Sequence, residues 1–225
     1  MKEIKLIGLI LILLCCKNVE KRTPDTEFYD LKGSVKFVSE KMIATIYDEF
    51  LDTTESYFTI INRSFDKNGY QTLTECFSED SMLLSWLEYD KNGNTIQFDK
   101  DGNQQNITKK VSEEEDVFYV ESHAPKSKEV LQKTWTKFEN GRMAWQKSIR
   151  IKDNFYYEDV YYRNNESLDT LIKRKFGYEI SEDYHLINVK YLSFDAKGSW
   201  TERLEYSLSD TNNYIVKQRR IEYYE

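Results

Sequence analysis

Two loops, Asp90-Lys91-Asn92-Gly93-Asn94 and Asp99-Lys100-Asp101-Gly102-Asn103, carry the hard oxygen ligands that calcium prefers. Setting Gly93 at the sixth position of a helix-flanked calcium loop puts Glu88, Asp90 and Asn92 at its first, third and fifth positions and Asp99 at its twelfth. However, Glu stands where the first Asp belongs, and strand-like sequence flanks the loop on both sides. A pair of hairpin turns explains the same residues more simply, so no metal and no other cofactor is expected.

Nucleophilic and zinc chemistry find little to work with. His123 and His185 are the two histidines, in unrelated contexts and without the spacing of a metal-binding pair. Cys76 sits in Thr74-Glu75-Cys76-Phe77, which reads as a strand, and a buried inert thiol is favoured there over a nucleophile. There is no glycine-rich phosphate loop. With 39 acidic residues some carboxylates must lie close together, but nothing in their spacing marks a cleft with one raised pKa. No catalytic residue is assigned. What is left is aromatic: Trp135, Trp145, Tyr156 and Tyr162 are candidates for a solvent-facing platform that stacks on a glycan or peptide. Their plainer role is cross-strand pairing, at ~0.2 to 1 kcal/mol per pair.

Those residues need a scaffold, and composition says which kind. The chain has 225 residues with Tyr 17, Phe 12 and Trp 4 but only Pro 2, so it is ordered and rich in residues that suit a half-buried pleated surface. A net charge of −7, with Lys173-Arg174-Lys175 as the densest basic cluster, argues against nucleic acid as a partner. The expected fold is all-β, an antiparallel meander of repeated β-hairpins, roughly ten to twelve strands at ordinary strand lengths, forming a curved or twisted sheet.

The repeated unit is an aromatic-Asp-x-x-Gly turn. It occurs at Tyr29 to Gly33, Phe65 to Gly69, Tyr89 to Gly93, Phe98 to Gly102 and Phe194 to Gly198, and Tyr47-Asp48 is a copy without its glycine. Asp accepts hydrogen bonds from amides further along the turn, and Gly takes the positive φ from which the next strand starts. Asn140-Gly141 and Asn164-Asn165 read as further hairpin turns. Between turns the pattern alternates: Trp200, Leu204, Tyr206 and Leu208 share one face, which is expected to be the core, with Glu202 as its misfit, while Arg203 and Glu205 share the other. Ile187, Val189 and Tyr191 form a face of their own. Phe155 to Tyr162 has aromatics on both faces and reads as a central strand. Ser112 to Asp116 reads as a solvated acidic loop, and the stretch around Pro125 as a long loop dividing the sheet into two halves.

The chain begins with a targeting pattern. Lys2 and Lys5 precede an apolar run from Leu6 to Leu14, too short to span a bilayer. The run ends at Leu13-Leu14-Cys15-Cys16-Lys17, which resembles the lipobox of bacterial lipoproteins. Taking Cys16 as the acylated residue puts small Cys15 at the cleavage position, so residues 1–15 read as signal, 16–27 as a polar membrane-proximal tether and 28–225 as a single β domain. The resemblance implies a membrane anchor through lipid. Lys17 in place of an inner-membrane-retaining Asp points to the outer membrane.

The turns also resemble a family of bacterial lipoproteins with YD-type repeats, distantly similar to the Tyr-Asp repeats of Rhs-like proteins. The likeness rests on Asp30 to Lys36, on Phe65 to Gly69 with Tyr89 to Asn103, and on Phe194 to Arg203 with Arg219 to Tyr224. Ser199 and Glu202 depart from the usual pattern, and Gln104 to Glu182 matches weakly. The resemblance implies a meander of hairpins and no particular function. The expectation is therefore a non-enzymatic envelope lipoprotein that binds an envelope protein or glycan through its sheet face or open edge. The alternative is an enzyme acting on envelope glycans through a carboxylate pair.

Overall fold

The computed structural model describes residues 24–48, 52–114, 117–139, 142–164, 168–178, 184–209 and 211–225. The signal segment, Cys16, most of the tether and the Asn140-Gly141 turn lie outside the described residues. A short helix α1 (Asp25–Phe28) precedes fourteen strands: β1 (Val35–Asp48), β2 (Thr53–Phe65), β3 (Gln71–Phe77), β4 (Leu83–Tyr89), β5 (Thr95–Asp99), β6 (Gln104–Glu114), β7 (Val117–His123), β8 (Val130–Glu139), β9 (Arg142–Arg150), β10 (Phe155–Arg163), β11 (Asp169–Gly177), β12 (His185–Phe194), β13 (Trp200–Ser207) and β14 (Tyr214–Tyr223). Each pairs antiparallel with the next, and β14 pairs back onto β1. The meander is thus a closed barrel, with more strands than the turn spacing predicts.

Closure removes the free edge on which edge pairing was expected to depend. β1 uses both of its edges, pairing with β2 from Phe37 to Asp48 and with β14 from Val35 to Thr45. One ribbon runs past this ring: β2 meets β3 only from Ile60 onward, so Thr53 to Thr59 are held by β1 alone.

Two expected loops are different in the structure. Ser112 to Glu114 of the acidic run belong to β6, whose ladder with β7 continues through Ser112 opposite Tyr119, with a bulge that leaves Val111 exposed; the rest of the run lies outside the described residues. Pairing with the apolar run from Val117 outweighs the local preference of acidic residues for solvent. The stretch around Pro125 is a tight turn, closed by Ala124 N to Glu129 O at 2.8 Å. It joins two strands that are paired along their length, so it divides nothing.

Four of the five Asp-x-x-Gly turns are as the sequence implies, whereas Tyr29 to Gly33 joins no two strands: it lies between α1 and β1, with Asp30 at φ +56° and paired with Arg142. Asp66, Asp90, Asp99 and Asp195 each accept bonds through Oδ1 from the amides two and four residues on, at 2.7 to 3.0 Å. The glycine of each turn has a φ near +80°. Gly69 meets a second constraint, because a Cβ there would lie 2.7 Å from Thr26 Oγ1.

Following the ladder register around the ring returns to the same face. Arg63, Thr74, Leu87, Gln97, Asn106, Ser122, Thr134, Ser148, Tyr157, Phe176 and so on to Glu40 all point into the lumen. The expected core face of β13 is therefore reversed over most of its length. Leu204, Tyr206 and Leu208 face outward, and Leu208 is exposed, while Arg203 and Glu205 face in. Trp200 is still buried inside, because a register shift between Trp200 and Glu202 makes Thr201 an extra residue and switches the alternation. Glu202, the misfit of the sequence pattern, is an ordinary outward residue beyond that bulge. β10 does carry aromatics on both faces, Tyr157 and Tyr161 inward, Tyr156 and Tyr162 outward, but as one stave of a ring.

One end of the barrel is plugged by the chain's own N-terminal segment. Asp25 Oδ2 accepts from Gln71 N at 2.7 Å, and Thr26 N donates to Gly69 O at 3.1 Å. Arg142 of β9 pairs with Asp30 at 2.9 Å, and Lys32 N donates to Ser199 Oγ at 2.7 Å. The segment thus ties the β2–β3 turn, β9 and the β12–β13 turn together across the opening. Leu31, Val35, Val38 and Phe65 bury themselves beneath it, with Tyr29, Ile221 and Tyr223 packed alongside.

Candidate functional site

The closed ring has an inner face to which every strand contributes, and that wall has two unlike halves. About eight strands make a barrel that side chains can just fill, so fourteen leave room unless the ring is flattened. Among the described residues, the buried set holds eleven polar or charged residues and nine apolar ones, so polar contacts hold the interior as much as apolar packing does.

The first half, from β10 through β14 to β2, is ionic. Asp159 takes a two-pronged bond from Arg174, Nε to Oδ1 and Nη2 to Oδ2, both at 2.8 Å. Glu205 is shared by Lys217 Nζ at 2.7 Å and Arg203. Glu40 is shared by Arg219 Nε at 2.6 Å and, more loosely, Arg63 Nη1 at 3.6 Å. Arg219 also donates to Tyr29 O at 2.6 Å, so the plug and the ionic wall are one structure. The guanidinium of Arg219 lies 3.4 Å from the centre of the Trp200 ring, and that of Arg203 lies 4.7 Å from it.

Electrostatics follow from that crowding. Burial favours the neutral form of Glu40, yet Arg219, Arg63 and Lys217 outweigh it and hold the carboxyl at about 2. Glu205 is held low against burial by Lys217 and Arg203. On the cationic side, burial and then the neighbouring Arg203 depress Lys217, and burial lowers Arg219 to about 10 in spite of Glu40. Nearer the plug, burial and then Asp30 push Asp169 up, although Arg163 lies 3.0 Å away.

The second half, from β4 to β9, is mostly neutral along its middle, with Lys110 and Arg150 toward its two ends. Asn106 Nδ2 donates to Gln97 Oε1 at 2.6 Å, Thr108 and Ser122 share a bond of 2.7 Å, and Gln146 Nε2 reaches Thr136 Oγ1 at 3.3 Å. At the end away from the plug, the inward-facing Phe176 is 50% exposed, and Ile46 and Tyr57, on the ribbon that runs past the ring, are 49% and 51% exposed. A wall with one ionic half, one hydroxyl and amide half and an exposed apolar rim can hold a polar or amphiphilic molecule. Its carboxylates Asp159, Glu205 and Glu40 are each committed to cations.

The residues singled out from sequence lie elsewhere. Trp135, Trp145, Tyr156 and Tyr162 come together on neighbouring strands β8, β9 and β10, all on the outer wall. They do not form a bare platform. Trp135 stacks on Tyr119 with ring centres 5.0 Å apart, the Lys147 ammonium lies over both Trp135 and Tyr156, and Tyr156 is buried. Tyr162 is exposed, with Lys173 over its ring. The calcium arithmetic fails on geometry: the Asp90 and Asp99 turns lie at opposite ends of the five-residue strand β5, and each carboxylate is occupied by its own turn. Among the described residues no group of three or more His, Cys, Asp or Glu is placed to hold a metal ion. His123 pairs with Glu121 at 3.3 Å, His185 stacks on Phe176, and Cys76 is a partly buried thiol on the lumen side of β3.

The ionic half is what sequence reasoning missed. Its trace is the shared parity of Arg203 with Glu205, placed in the sequence pattern opposite the expected core face, and that of Lys217 with Arg219, which the pattern left unread. Only closure of the sheet turns that face inward.

No protein-family model matches the chain, and no curated protein is detectably similar to it. Among solved structures it is similar to a porin-like protein from Bacteroides uniformis, at 8% identity over 85% of this chain and 99% of that one, with a TM-score of 0.44. It is also similar to a DUF1329 family protein from Desulfovibrio piger, at 8% identity over 84% and 86% and a TM-score of 0.31. A LolA superfamily protein from Nitrosomonas europaea follows at 8% identity over 91% and 95%, with a TM-score of 0.27. At these scores they say nothing of what the chain binds. None of them is a YD-repeat protein, and the resemblance to YD-repeat lipoproteins is overturned: the Asp-x-x-Gly turn is a general hairpin device, and the hairpins here close into a barrel.

Proposed function

We propose that the chain is a non-enzymatic binding protein of the cell envelope, anchored by lipid at Cys16, which takes its ligand into the barrel lumen through the end opposite the plug. The observation that carries this reading is the asymmetry of the two ends. One is crossed by the segment from Asp25 to Lys32 and sealed by Leu31, Val35, Val38 and Phe65, whereas inward-facing side chains at the other are half exposed. Ligand entry by that route replaces edge pairing as the binding mode.

The outer wall supports a water-facing barrel. Lys147 and Glu158 stand opposite each other at mid-height of β9 and β10, and Lys173 and Lys190 point outward on β11 and β12. In a lipid-facing wall, Lys or Arg at that depth costs about 2 to 4 kcal/mol each. The lipid anchor would then supply the membrane attachment. A second surface is offered by Trp135, Trp145 and Tyr162 with their lysines, gathered on β8 to β10, which suits a glycan or an envelope protein.

Native mass spectrometry of the full chain isolated from its own envelope tests the lumen reading. A co-purifying small molecule, lost when a bulky Trp replaces Ala44 on the inner wall, is the expected result. Alkyne fatty-acid labelling that disappears in Cys16→Ala is expected for the anchor; equal labelling of both forms would remove it.

A further inference from the structure

We propose that the ionic half of the lumen is an anion site, built by Arg203, Lys217, Arg63 and Arg174 around Trp200, for a ligand that carries a phosphate or carboxylate group. This deepens the lumen reading and rests on it.

Charge is the first ground. Five cations, Arg63, Arg174, Arg203, Lys217 and Arg219, face three carboxylates, Glu40, Asp159 and Glu205, in that half of the wall. Asp159 is taken up by Arg174, Glu205 is divided between two cations and so is Glu40. The cluster therefore holds two positive charges in excess, inside a chain whose net charge is −7. Nearer the plug, Arg142 and Arg163 are matched by Asp30 and Asp169, so that region does not absorb the surplus. Partly buried surplus cations are costly unless a negative group completes them.

Hydrogen bonding is the second ground, and it is independent of charge. Trp200 is 1% exposed and its indole Nε1–H has no acceptor; the buried Nε–H of Arg203 has none either. Buried donors are nearly always satisfied; both atoms are closed to water in this packing, so they would meet a ligand as neighbouring side chains shift to admit it, and an oxyanion offers the several lone pairs they need. A phosphate or carboxylate has them, and Arg guanidinium groups fit both in a two-pronged way.

Access is the third. The side chains of Arg174, Lys217, Arg63 and Arg203 are 24%, 16%, 13% and 12% exposed. Since all four point inward, that surface is open to the lumen and not to the outside. The neutral hydroxyl and amide wall opposite would face the rest of the ligand.

Titration calorimetry on the full chain tests the site with three probes below their micelle-forming concentrations: inorganic phosphate, octyl phosphate and octyl glucoside. Binding of phosphate or octyl phosphate is expected, weakened about 10- to 100-fold in Lys217→Met, the range for one charge-assisted hydrogen bond. Lys190→Met, on the outer wall of β12, should leave affinity unchanged. Octyl phosphate binding more tightly than phosphate would identify a headgroup on an apolar tail; equal affinities would identify the free ion. Should Lys217→Met fail to fold, Trp200→Phe removes one orphan donor without touching charge and should also weaken binding. Octyl glucoside binding as well as octyl phosphate would overturn the anion site and leave the lumen reading standing. No binding of any probe would overturn both, and unaltered anion affinity in the folded variants would overturn the assignment to these residues.

Discussion

The two halves of the inner wall solve one problem in different ways. Both line the inside of the closed ring with polar groups, so neither relies on apolar packing alone. The neutral half, β4 to β9, satisfies its groups pairwise across neighbouring strands, as in Thr108 with Ser122 and Asn106 with Gln97. The ionic half ties strands, plug and aromatic ring into one network through Glu40, Arg219, Tyr29 O and Trp200. A hydroxyl pair can be cut and each member can turn to water in the lumen. A buried carboxylate that loses its arginine cannot, because its charge then stands in a poorly solvated place. The difference teaches where the barrel is rigid: on the side that meets the plug.

The largest expected effect is therefore Arg219→Ala. It leaves Glu40 with only Arg63 at 3.6 Å and removes the bond to the plug, and should cost about 3 to 5 kcal/mol in urea unfolding. Adding Glu40→Ala should recover part of that loss, since the stranded charge goes with it; a double variant no better than the single one would show that the network is not the source. Acid should act on the same half. Folding favours ionised Glu40, whose pKa falls from 4.5 to about 2, so its contribution is full above 4.5 and is lost as pH falls toward 2. The urea midpoint should accordingly drop more steeply over that window in the wild type than in Glu40→Gln. The smallest effect belongs to the neutral half. Thr108→Val removes one hydroxyl pair and should cost below about 1 kcal/mol, with the acid slope unchanged. A loss as large as that of Arg219→Ala would erase the contrast.

Much of the scaffold was legible because its signals are local. Asp66, Asp90, Asp99 and Asp195 fix their turns with bonds no longer than four residues in sequence, and glycine at positive φ completes each one. The sheet's closure was not legible, since pairing Val35 with Tyr223 spans nearly the whole domain and leaves no local mark. From that single missing fact the other errors follow. An open sheet makes Leu204, Tyr206 and Leu208 a core and Arg203 with Glu205 a solvent face; a closed one with a hollow centre reverses them. Trp135, Trp145, Tyr156 and Tyr162 lie on strands, and their place on the outer wall, partly roofed by lysines, depends on the same closure.

A hollow lumen reached from the unplugged end is the central claim, and the chain carries its own probe in Cys76, on the inner face of β3 next to Ser85. Under native conditions a small charged methanethiosulfonate should modify Cys76, read by mass spectrometry of the peptide that contains it, while a reagent carrying a long polyethylene glycol chain should react far more slowly. Modification of Cys76 only after unfolding would show that the interior is closed to water, and the account of the lumen would fail.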